Sequence, residues 1–226
     1  MRSSLTAAIR LAGATLVEED GRLVALDYGS AGGELAACRH GVGIAARLAA
    51  VVLELHGAKD ELSWLFGGQA LEPGRVVISG LAWVIPLSSQ RMLVVADPRR
   101  DRAEIARLRG AEQTSAIACA DASAGHDVLV LVGPDAAAVL DAPELARAGD
   151  LPELQEVSDV LLAGTPARIL RAEPERFIML SDPAHSVAIW HALNVFGDRW
   201  AIASVGRDAL EMLEVGVHAS SVRHER

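Results

Sequence analysis

The stretch DVLVLVGPDAAAVL, residues 127–140, decides the fold, because the chain contains its pattern twice. A run of strand-forming residues from Val128 to Val132 leads into Gly133-Pro134-Asp135, and a segment of small residues typical of a short helix follows. Upstream, VVLELHGAKDELSWL at residues 51–65 has the same order of strand, glycine and helix. The two stretches therefore predict two similar halves.

A second pair of matching segments lies towards the end of each half. QRMLVVADP occupies residues 90–98 and ERFIMLSDP occupies residues 175–183, so that Asp97 corresponds to Asp182. An apolar segment with helical spacing follows each copy. A self-match that keeps its order along the chain indicates an internal duplication.

The distance between the copies is not constant along the chain. It grows from 76 residues, between Gly57 and Gly133, to 85 residues at the two Asp-Pro pairs, so the second half contains a longer internal connection. We predict one pseudo-symmetric domain over residues 1–226. Its halves lie at about 28–110 and 111–216, and residues 217–226 form a polar tail.

Hydrophobic periodicity and turn residues divide each half into the order β-α-β-β-β-α. The predicted strands are residues 51–55, 75–78, 81–87, 92–96, 128–132, 160–163, 167–170 and 177–180, and the predicted helices are residues 58–66, 99–108, 134–140 and 184–196. Asp97 and Asp182 are predicted to cap the helices that follow them, and Gly164-Thr165-Pro166 is predicted to form a turn. Strands in hairpins with helices after each set predict an α+β fold.

Composition and charge exclude several classes of protein. The chain has 226 residues, 51% of them hydrophobic and 23% charged, which is typical of a globular protein. Its net charge of −9 argues against nucleic-acid binding, which requires a basic surface. No apolar run approaches the roughly 20 residues of a membrane span, and residues 1–14 lack the apolar core of a signal peptide. We therefore expect a cytoplasmic protein without nucleic-acid or membrane partners.

Residue types that often bind metals or cofactors do not cluster in the sequence. Cys38 and Cys119 lie far apart, outside any CxxC pattern, and are expected to be reduced, half-buried thiols. His185 and His191 are not spaced to share one helix face, so no metal site is expected. The tryptophans are assigned to the core: Trp64, Trp83, Trp190 and Trp200.

The helix predicted at residues 99–108 and the residue after it are rich in arginine. The arginines are Arg99, Arg100, Arg102, Arg107 and Arg109. Because Asp101 and Glu104 lie among them, they are consistent with a solvated, ion-paired face. A patch for an acidic partner subunit or a polyglutamate tail remains the alternative interpretation.

Five blocks in a fixed order resemble a known family. They are GELAACRHGVGI at 33–44, VLELHGAKDELSWL at 52–65, VLVLVGPDAAAVL at 128–140, AGTPARILRAEPERFIML at 163–180 and IWHAL at 189–193. Over about residues 28–216 the chain resembles the folate-binding part of the glycine-cleavage aminomethyltransferase family, which includes the gamma subunits of heterotetrameric sarcosine oxidases. The resemblance implies a folate-binding domain of duplicated β-α-β units with exchanged strands. Since the sequence ends at residue 226, we expect no C-terminal β-barrel.

The departures from the family pattern concern the residues that would act on folate. Residues 75–92 contain no carboxylate, whereas the family's catalytic members carry an aspartate there. The family's Arg-aromatic-Thr-Gly-Glu motif matches only at Arg171, after which Glu173 and Glu175 are the residues that could replace its pterin-binding carboxylate. Glu214 lies near the position where catalytic relatives carry an arginine. The resemblance thus gives Arg171, Glu173 and Glu175 as folate-binding candidates and no catalytic residue.

Three functions are compatible with this resemblance. The first is a gamma-subunit-like component of an amine-oxidising, one-carbon complex of the sarcosine oxidase type. Among the family's members, the gamma subunit is closest in length to this chain. Tetrahydrofolate is its implied cofactor, while the flavin and oxidation chemistry would belong to flavoprotein subunits, with no flavin or metal in this chain. The others are a stand-alone tetrahydrofolate-dependent methyl or aminomethyl transferase and a non-catalytic scaffold homologue. The sequence leaves open whether the chain is an enzyme.

Overall fold

The structure, a computed structural model, describes residues 4–113, 115–145 and 147–214, so the predicted tail lies outside the described residues. The strands are β1 (Thr15–Glu19), β2 (Arg22–Asp27), β3 (Val42–Ala46), β4 (Val51–His56), β5 (Val77–Ser79), β6 (Ala82–Ser88), β7 (Arg91–Ala96), β8 (Ala118–Asp121), β9 (Asp127–Val132), β10 (Val157–Leu162), β11 (Thr165–Glu173), β12 (Arg176–Ser181) and β13 (Ile202–Ser204). The α-helices are α1 (Ser4–Leu11), α2 (Ala31–His40), α3 (Lys59–Leu65), α4 (Arg102–Gly110), α5 (Ala136–Leu140), α6 (Ser186–Phe196) and α7, which covers residues 207–214. This is the α+β fold that the sequence predicts.

Two sheets form the centre of the molecule. One has six strands in the order β10-β11-β12-β9-β3-β13, and the other has five in the order β5-β6-β7-β4-β8. Their neighbouring strands are antiparallel, except that β13 runs parallel to β3. β1 and β2 form a separate antiparallel ribbon.

The stretch that opens the second half shows how the layers are built. In β9, Leu129 and Leu131 face a core shared with α1, α5 and α6. The alternate residues, Val128 and Val130, face a second core that includes Val52 of the five-stranded sheet. A third core joins the other face of that sheet to α3 and α4. Because side chains alternate along a strand, a fully apolar run such as β9 fits a sheet that is covered on both faces.

The two sheets share one strand order. The set β4-β5-β6-β7 occupies one sheet in the same spatial order as β9-β10-β11-β12 occupies the other. β3 precedes the first set in the chain but pairs with β9, and β8 precedes the second set but pairs with β4. Each sheet is therefore completed by the strand that leads into the other set.

Both closing helices begin later than predicted, so the predicted helix starts are wrong. In the first copy, Oδ1 of Asp97 accepts from the Arg99 N–H at 2.9 Å, and α4 begins only at Arg102. In the second copy, Oδ1 of Asp182 accepts from the Ala184 N–H at 2.8 Å, and α6 begins at Ser186. The aspartate closes a local turn before each helix, an alternative that Asp side chains commonly adopt.

The β10–β11 connection also differs from the prediction. Ala163 and Gly164 both have positive φ angles, of 51° and 74°. Pro166 belongs to β11, where it pairs with Leu161 of the edge strand β10. Two central residues with positive φ are characteristic of the tight turns that suit antiparallel hairpins, which is why the turn falls one residue earlier.

Candidate functional site

A cavity of about 170 Å³ lies where elements of both halves meet. Its wall combines the β5–β6 hairpin and the turn before α4 with the end of β11, the start of β12 and the last described turn of α7. Clefts between structural units that combine apolar walls with a few polar groups are common ligand sites. We therefore take this cavity as the candidate functional site.

The hairpin wall of the cavity is apolar. Ile78 and Leu81 each expose 48% of their surface, and Trp83 is half-buried beside them. Gly80 has a φ of 63°, which lets the hairpin reverse between Ile78 and Leu81. Exposed aliphatic side chains next to an aromatic ring offer a surface against which a flat ring can pack. The assignment of all four tryptophans to the core is wrong for Trp64, which is 77% exposed.

The opposite wall is built around a buried cation. Arg176 is only 8% exposed, and its Nη1 donates to Oε1 of Glu214 at 3.2 Å and to Oε1 of Glu173 at 3.4 Å. Glu214 also accepts from Nη1 of Arg100. Buried charges require partners, and these contacts compensate for part of the lost hydration of Arg176. Its Nε is nevertheless buried without a hydrogen-bond partner.

A second polar group connects the apolar wall to the turn before α4. Asp101 is 4% exposed and accepts from the N–H of Asp97 at 2.9 Å and from the N–H of Leu81 at 3.3 Å. Burial raises the pKa of Asp101 above its ordinary value of 3.8, although the two backbone hydrogen bonds oppose this. Asp97 is paired with Arg47, which follows β3. Asp101 therefore holds the hairpin in place while remaining at the cavity surface.

The three folate-binding candidates have different positions. Glu173 lines the cavity. Arg171 lies outside the lining residues, where Nη2 donates to the Pro174 carbonyl at 2.9 Å and the guanidinium lies 5.3 Å from the centre of the Phe177 ring. Glu175 is exposed, and its carbonyl accepts from the Gly133 N–H at 2.9 Å. Arg171 thus stabilises the turn that carries both glutamates.

The cavity brings together residues that the sequence did not assign to a common site. Arg47, Arg100, Arg176 and Glu214 lie in four separate segments, and the sequence pointed directly only to Arg100, in the arginine-rich segment, and to Glu214, near the position of the family's arginine. A faint signal exists for Arg176, which occupies the place of Arg91 in the repeat. That correspondence does not reveal burial, since Arg91 is exposed.

The arginine-rich segment is paired with carboxylates. Arg99 contacts Glu211 and Glu19, Arg100 contacts Glu214, Arg102 contacts Asp20, Arg107 contacts Glu104 and Arg109 contacts Asp121. These contacts support the interpretation as an ion-paired face. The alternative, a patch for an acidic partner subunit or a polyglutamate tail, would require the incoming anion to displace these carboxylates.

Within the described ranges, no group of three or more His, Cys, Asp or Glu side chains is arranged to hold a metal ion. In the same part of the chain, no helix combines the length and apolar character needed to cross a membrane.

Two solved structures have a fold similar to that of this chain. The chain superimposes on the glycine cleavage system aminomethyltransferase T from Bartonella henselae with a TM-score of 0.72 and 19% identity over 91% of its length, and it spans 59% of that protein. It also superimposes on a chain of the heterotetrameric sarcosine oxidase from Corynebacterium sp. U-96, with a TM-score of 0.62, 20% identity, and coverage of 91% of this chain and 99% of the other. No protein-family profile and no curated protein sequence matches.

These likenesses define a class of fold. The chain has the mixed α+β fold shared by the aminomethyltransferase and the sarcosine oxidase chain. The structural resemblance predicted from the five sequence blocks is confirmed. At 19% and 20% identity the likeness concerns architecture, and function must be argued from the cavity.

Proposed function

We propose that this chain is the folate-binding-fold component of an amine-oxidising, one-carbon complex of the sarcosine oxidase type. The correspondence with a chain of the heterotetrameric enzyme, which extends over 91% of one chain and 99% of the other, supports the proposal. Flavoprotein subunits would carry out the oxidation. The chain would present tetrahydrofolate, which carries one-carbon units.

The fold itself has a proposed origin. We interpret the two sheets as copies of one duplicated unit that exchange their leading strands, β3 and β8, within a single domain. The shared strand order supports this, as does the Asp turn that precedes both closing helices. Exchange of leading strands would bind the halves together, and the candidate cavity lies where their hairpin ends meet.

The cavity suits the pterin part of a reduced folate. A flat ring can pack against Leu81 and Trp83, while its hydrogen-bonding edge reaches the carboxylate of Glu173. Glu173 has an exposed side chain, 56% accessible, and only a 3.4 Å contact with Arg176. It is therefore the cavity carboxylate with the greatest freedom to turn towards a ligand.

The observation that carries the proposal is that the carboxylates lining the cavity are already engaged. Asp97 is paired with Arg47, Asp101 accepts from two backbone N–H groups, and Glu173 and Glu214 share Arg176. A general base must be within reach of its substrate and able to accept a proton. Groups held in this way are better suited to binding and positioning a cofactor than to proton transfer.

A titration tests the ligand proposal. Calorimetry with folinic acid, a stable reduced folate, should show binding that weakens by at least about fivefold in Glu173→Gln, the effect of losing one hydrogen bond to a charged acceptor. Glu175→Gln, on the same turn but exposed, is the matched control and should bind like the unmodified chain. Absence of heat at millimolar folinic acid would leave the scaffold homologue as the remaining function.

The complex is tested separately by purification from the native host. The chain should co-elute with a protein that carries flavin absorbance, and the two should remain together at moderate salt. Recovery of a persistently monomeric chain without a flavoprotein would contradict the proposed assembly.

One observation favours the stand-alone transferase as a second candidate. Asp101 is buried in the cavity wall and has a raised pKa, a combination found in groups that exchange protons. For this role, Asp101 would have to release the N–H of Leu81 and turn towards the ligand. Turnover of a methylated amine with tetrahydrofolate by the isolated chain, lost in Asp101→Asn, would establish this candidate in place of the first.

A further inference from the structure

Two arginines from different elements converge on one glutamate at the edge of the cavity. Arg100 lies in the turn before α4 and Arg176 at the start of β12, and both donate to the carboxylate of Glu214 on α7. Arg100 is 34% exposed at its side chain and Arg176 only 9%. Each arginine donates one N–H to Glu214, so the pair forms a cationic site in which Glu214 supplies the anion.

The site has unused hydrogen-bonding capacity. Arg176 lines the cavity, and its Nε is buried without a hydrogen-bond partner, although buried polar groups are normally hydrogen-bonded. Glu173, the other acceptor for Arg176, lies on the opposite side of the turn between β11 and β12. Glu214 thus satisfies only part of what these two arginines offer to an anion.

The attachment of α7 does not depend on Glu214. Val205, Ala209 and Leu210 are buried in the core between the sheets. Glu211 pairs with Arg99 at 3.1 Å, and Arg207 pairs with Glu19 at 2.7 Å, both away from the cavity lining. Because packing and these ion pairs hold the helix, the Glu214 carboxylate can leave the arginines without undocking α7.

We propose that Arg100 and Arg176 form an anion subsite of the cavity and that Glu214 occupies it as an internal competitor for a ligand's carboxylate. The proposal rests on the proposed function only in taking this cavity as the ligand site. An entering carboxylate displaces that of Glu214, and Arg176 keeps Glu173 as a partner during the exchange. The ligand class is a small molecule with an aromatic ring for the Trp83 wall and a carboxylate for the two arginines.

Competition from Glu214 lowers the apparent affinity of the subsite for a ligand carboxylate. The apparent dissociation constant is the intrinsic one divided by the fraction of molecules whose subsite is open. If Glu214 occupies the arginines about nine-tenths of the time, its removal tightens the binding of a carboxylate ligand about tenfold. A ligand without a carboxylate does not use the subsite and keeps its affinity.

Two probes separate the subsite from the folate proposal. 4-Aminobenzoylglutamate has a ring and carboxylates but no pterin, and 6-methyltetrahydropterin has the pterin but no carboxylate. Each is titrated by calorimetry into the full chain, Glu214→Gln, Glu214→Asp and the control Glu211→Gln. Glu211 lies on the same helix as Glu214, and its replacement by Gln removes the same charge. Its partner, Arg99, lies outside the cavity lining.

We expect 4-aminobenzoylglutamate to bind about tenfold more tightly to Glu214→Gln, with Glu211→Gln unchanged and Arg100→Gln in the Glu214→Gln background losing the gain. Glu214→Asp keeps the charge on a shorter side chain, so it should tighten binding partially if Glu214→Gln fails to fold. Unchanged or weaker binding in the Glu214 variants, or an equal gain in Glu211→Gln, overturns the subsite. Failure of 6-methyltetrahydropterin to bind any variant contradicts the pterin proposal alone.

Discussion

Gly133 is the residue of the repeat that tolerates the least change. Its φ is 133°, and a Cβ added there would lie 2.2 Å from the Gly41 carbonyl oxygen, a backbone atom that cannot move aside. Gly57 is its counterpart in the first half, but the nearest atom to its added Cβ would be in the Ile117 side chain, at 3.0 Å, and it does not have a positive φ. The same sequence position therefore meets two different steric demands.

Alanine substitutions should separate these two glycines. We expect Gly133→Ala to lower the free energy of unfolding by about 3 kcal/mol, from backbone strain and the collision with Gly41. Gly57→Ala should cost about 1 kcal/mol or less, because the Ile117 side chain can shift. Urea denaturation measures both, and equal losses would contradict the steric account.

The two thiols should differ in reactivity. Cys38 is 2% exposed, and burial raises its pKa to about 11, whereas Cys119 is half-buried at the sheet edge, with a pKa that burial and then Glu112 raise. Only a thiolate reacts with iodoacetamide. At pH 8 we expect Cys38 to be alkylated at least about 100-fold more slowly than Cys119 until the chain unfolds. Mass spectrometry of timed samples would detect the difference, and similar rates would contradict the burial of Cys38.

At the scale of elements, Glu34 connects the start of α2 to the start of α7 through hydrogen bonds. It is 6% exposed, its Oε1 accepts from the Tyr28 N–H at 2.6 Å, and its Oε2 accepts from the Gly206 N–H at 2.8 Å. This contact requires glycine at position 206, because an added Cβ there would lie 2.0 Å from the Leu26 carbonyl oxygen. The position of α7, and hence of Glu214, depends on this carboxylate.

Glu34→Gln should show how much these hydrogen bonds contribute to stability. The amide keeps one acceptor oxygen but presents an NH₂ group to the other backbone N–H, which leaves buried donors unsatisfied. We expect the free energy of unfolding to fall by about 2 kcal/mol. Hydrogen exchange should quicken in residues 207–214 more than in α3, which lies on the far side of the five-stranded sheet. Uniform quickening would show that the loss is global and not local to α7.

Some features of the helices and strands can be predicted from the sequence, and others cannot. Periods of two and 3.6 residues are local, so the strands of the β6–β7 and β11–β12 hairpins are predicted within three residues of their observed bounds. The starts of α4 and α6 were missed because an Asp-Pro pair fits a local turn as well as a helix cap. Of the cavity residues, Glu173 is a candidate from the sequence, but contacts such as Arg176 with Glu214 join elements through the tertiary fold and leave no local pattern.

For the whole molecule, acid is the condition that should reveal how far ion pairs support the fold. The chain has 30 acidic and 21 basic residues, Lys and Arg together, so protonation of carboxylates leaves an excess of positive charge. Arg207, Arg91 and Arg107 lower the pKa values of Glu19, Glu54 and Glu104, respectively, through side-chain hydrogen bonds. Asp101 acts in the opposite direction, because burial raises its pKa.

The sign of each contribution follows from linkage. A carboxylate whose folded pKa is lowered adds stability that is present above its unfolded value, 4.5 for Glu104, and is lost as the pH falls through the folded pKa. Asp101 has a raised pKa, so its contribution is present below 3.8 and is lost as the pH rises through the folded value. The pKa of Asp121 is lowered as well, since its burial is outweighed by hydrogen bonds from Ser123 and the charges of Arg109 and Arg22. Four lowered values against one raised value predict a net loss of stability on acidification.

Glu104 offers the clearest single test of this balance. Its carboxylate accepts from Arg107 at 2.6 and 2.7 Å and from Ser79 Oγ at 2.7 Å, which joins α4 to β5. At pH 7 we expect Glu104→Gln to lower the free energy of unfolding by about 1 kcal/mol, a figure already reduced for solvent screening, and the melting temperature by about 3 °C. At pH 3 the difference in melting temperature between the variant and the unmodified chain should be smaller, because protonation of the native carboxylate as the pH falls through its lowered folded pKa removes the charged acceptor. Glu72→Gln, at an exposed position, is the control and should have little effect at either pH. A difference for Glu104→Gln that is as large at pH 3 as at pH 7 would mean that packing of the side chain, and not its charge, holds α4 against β5.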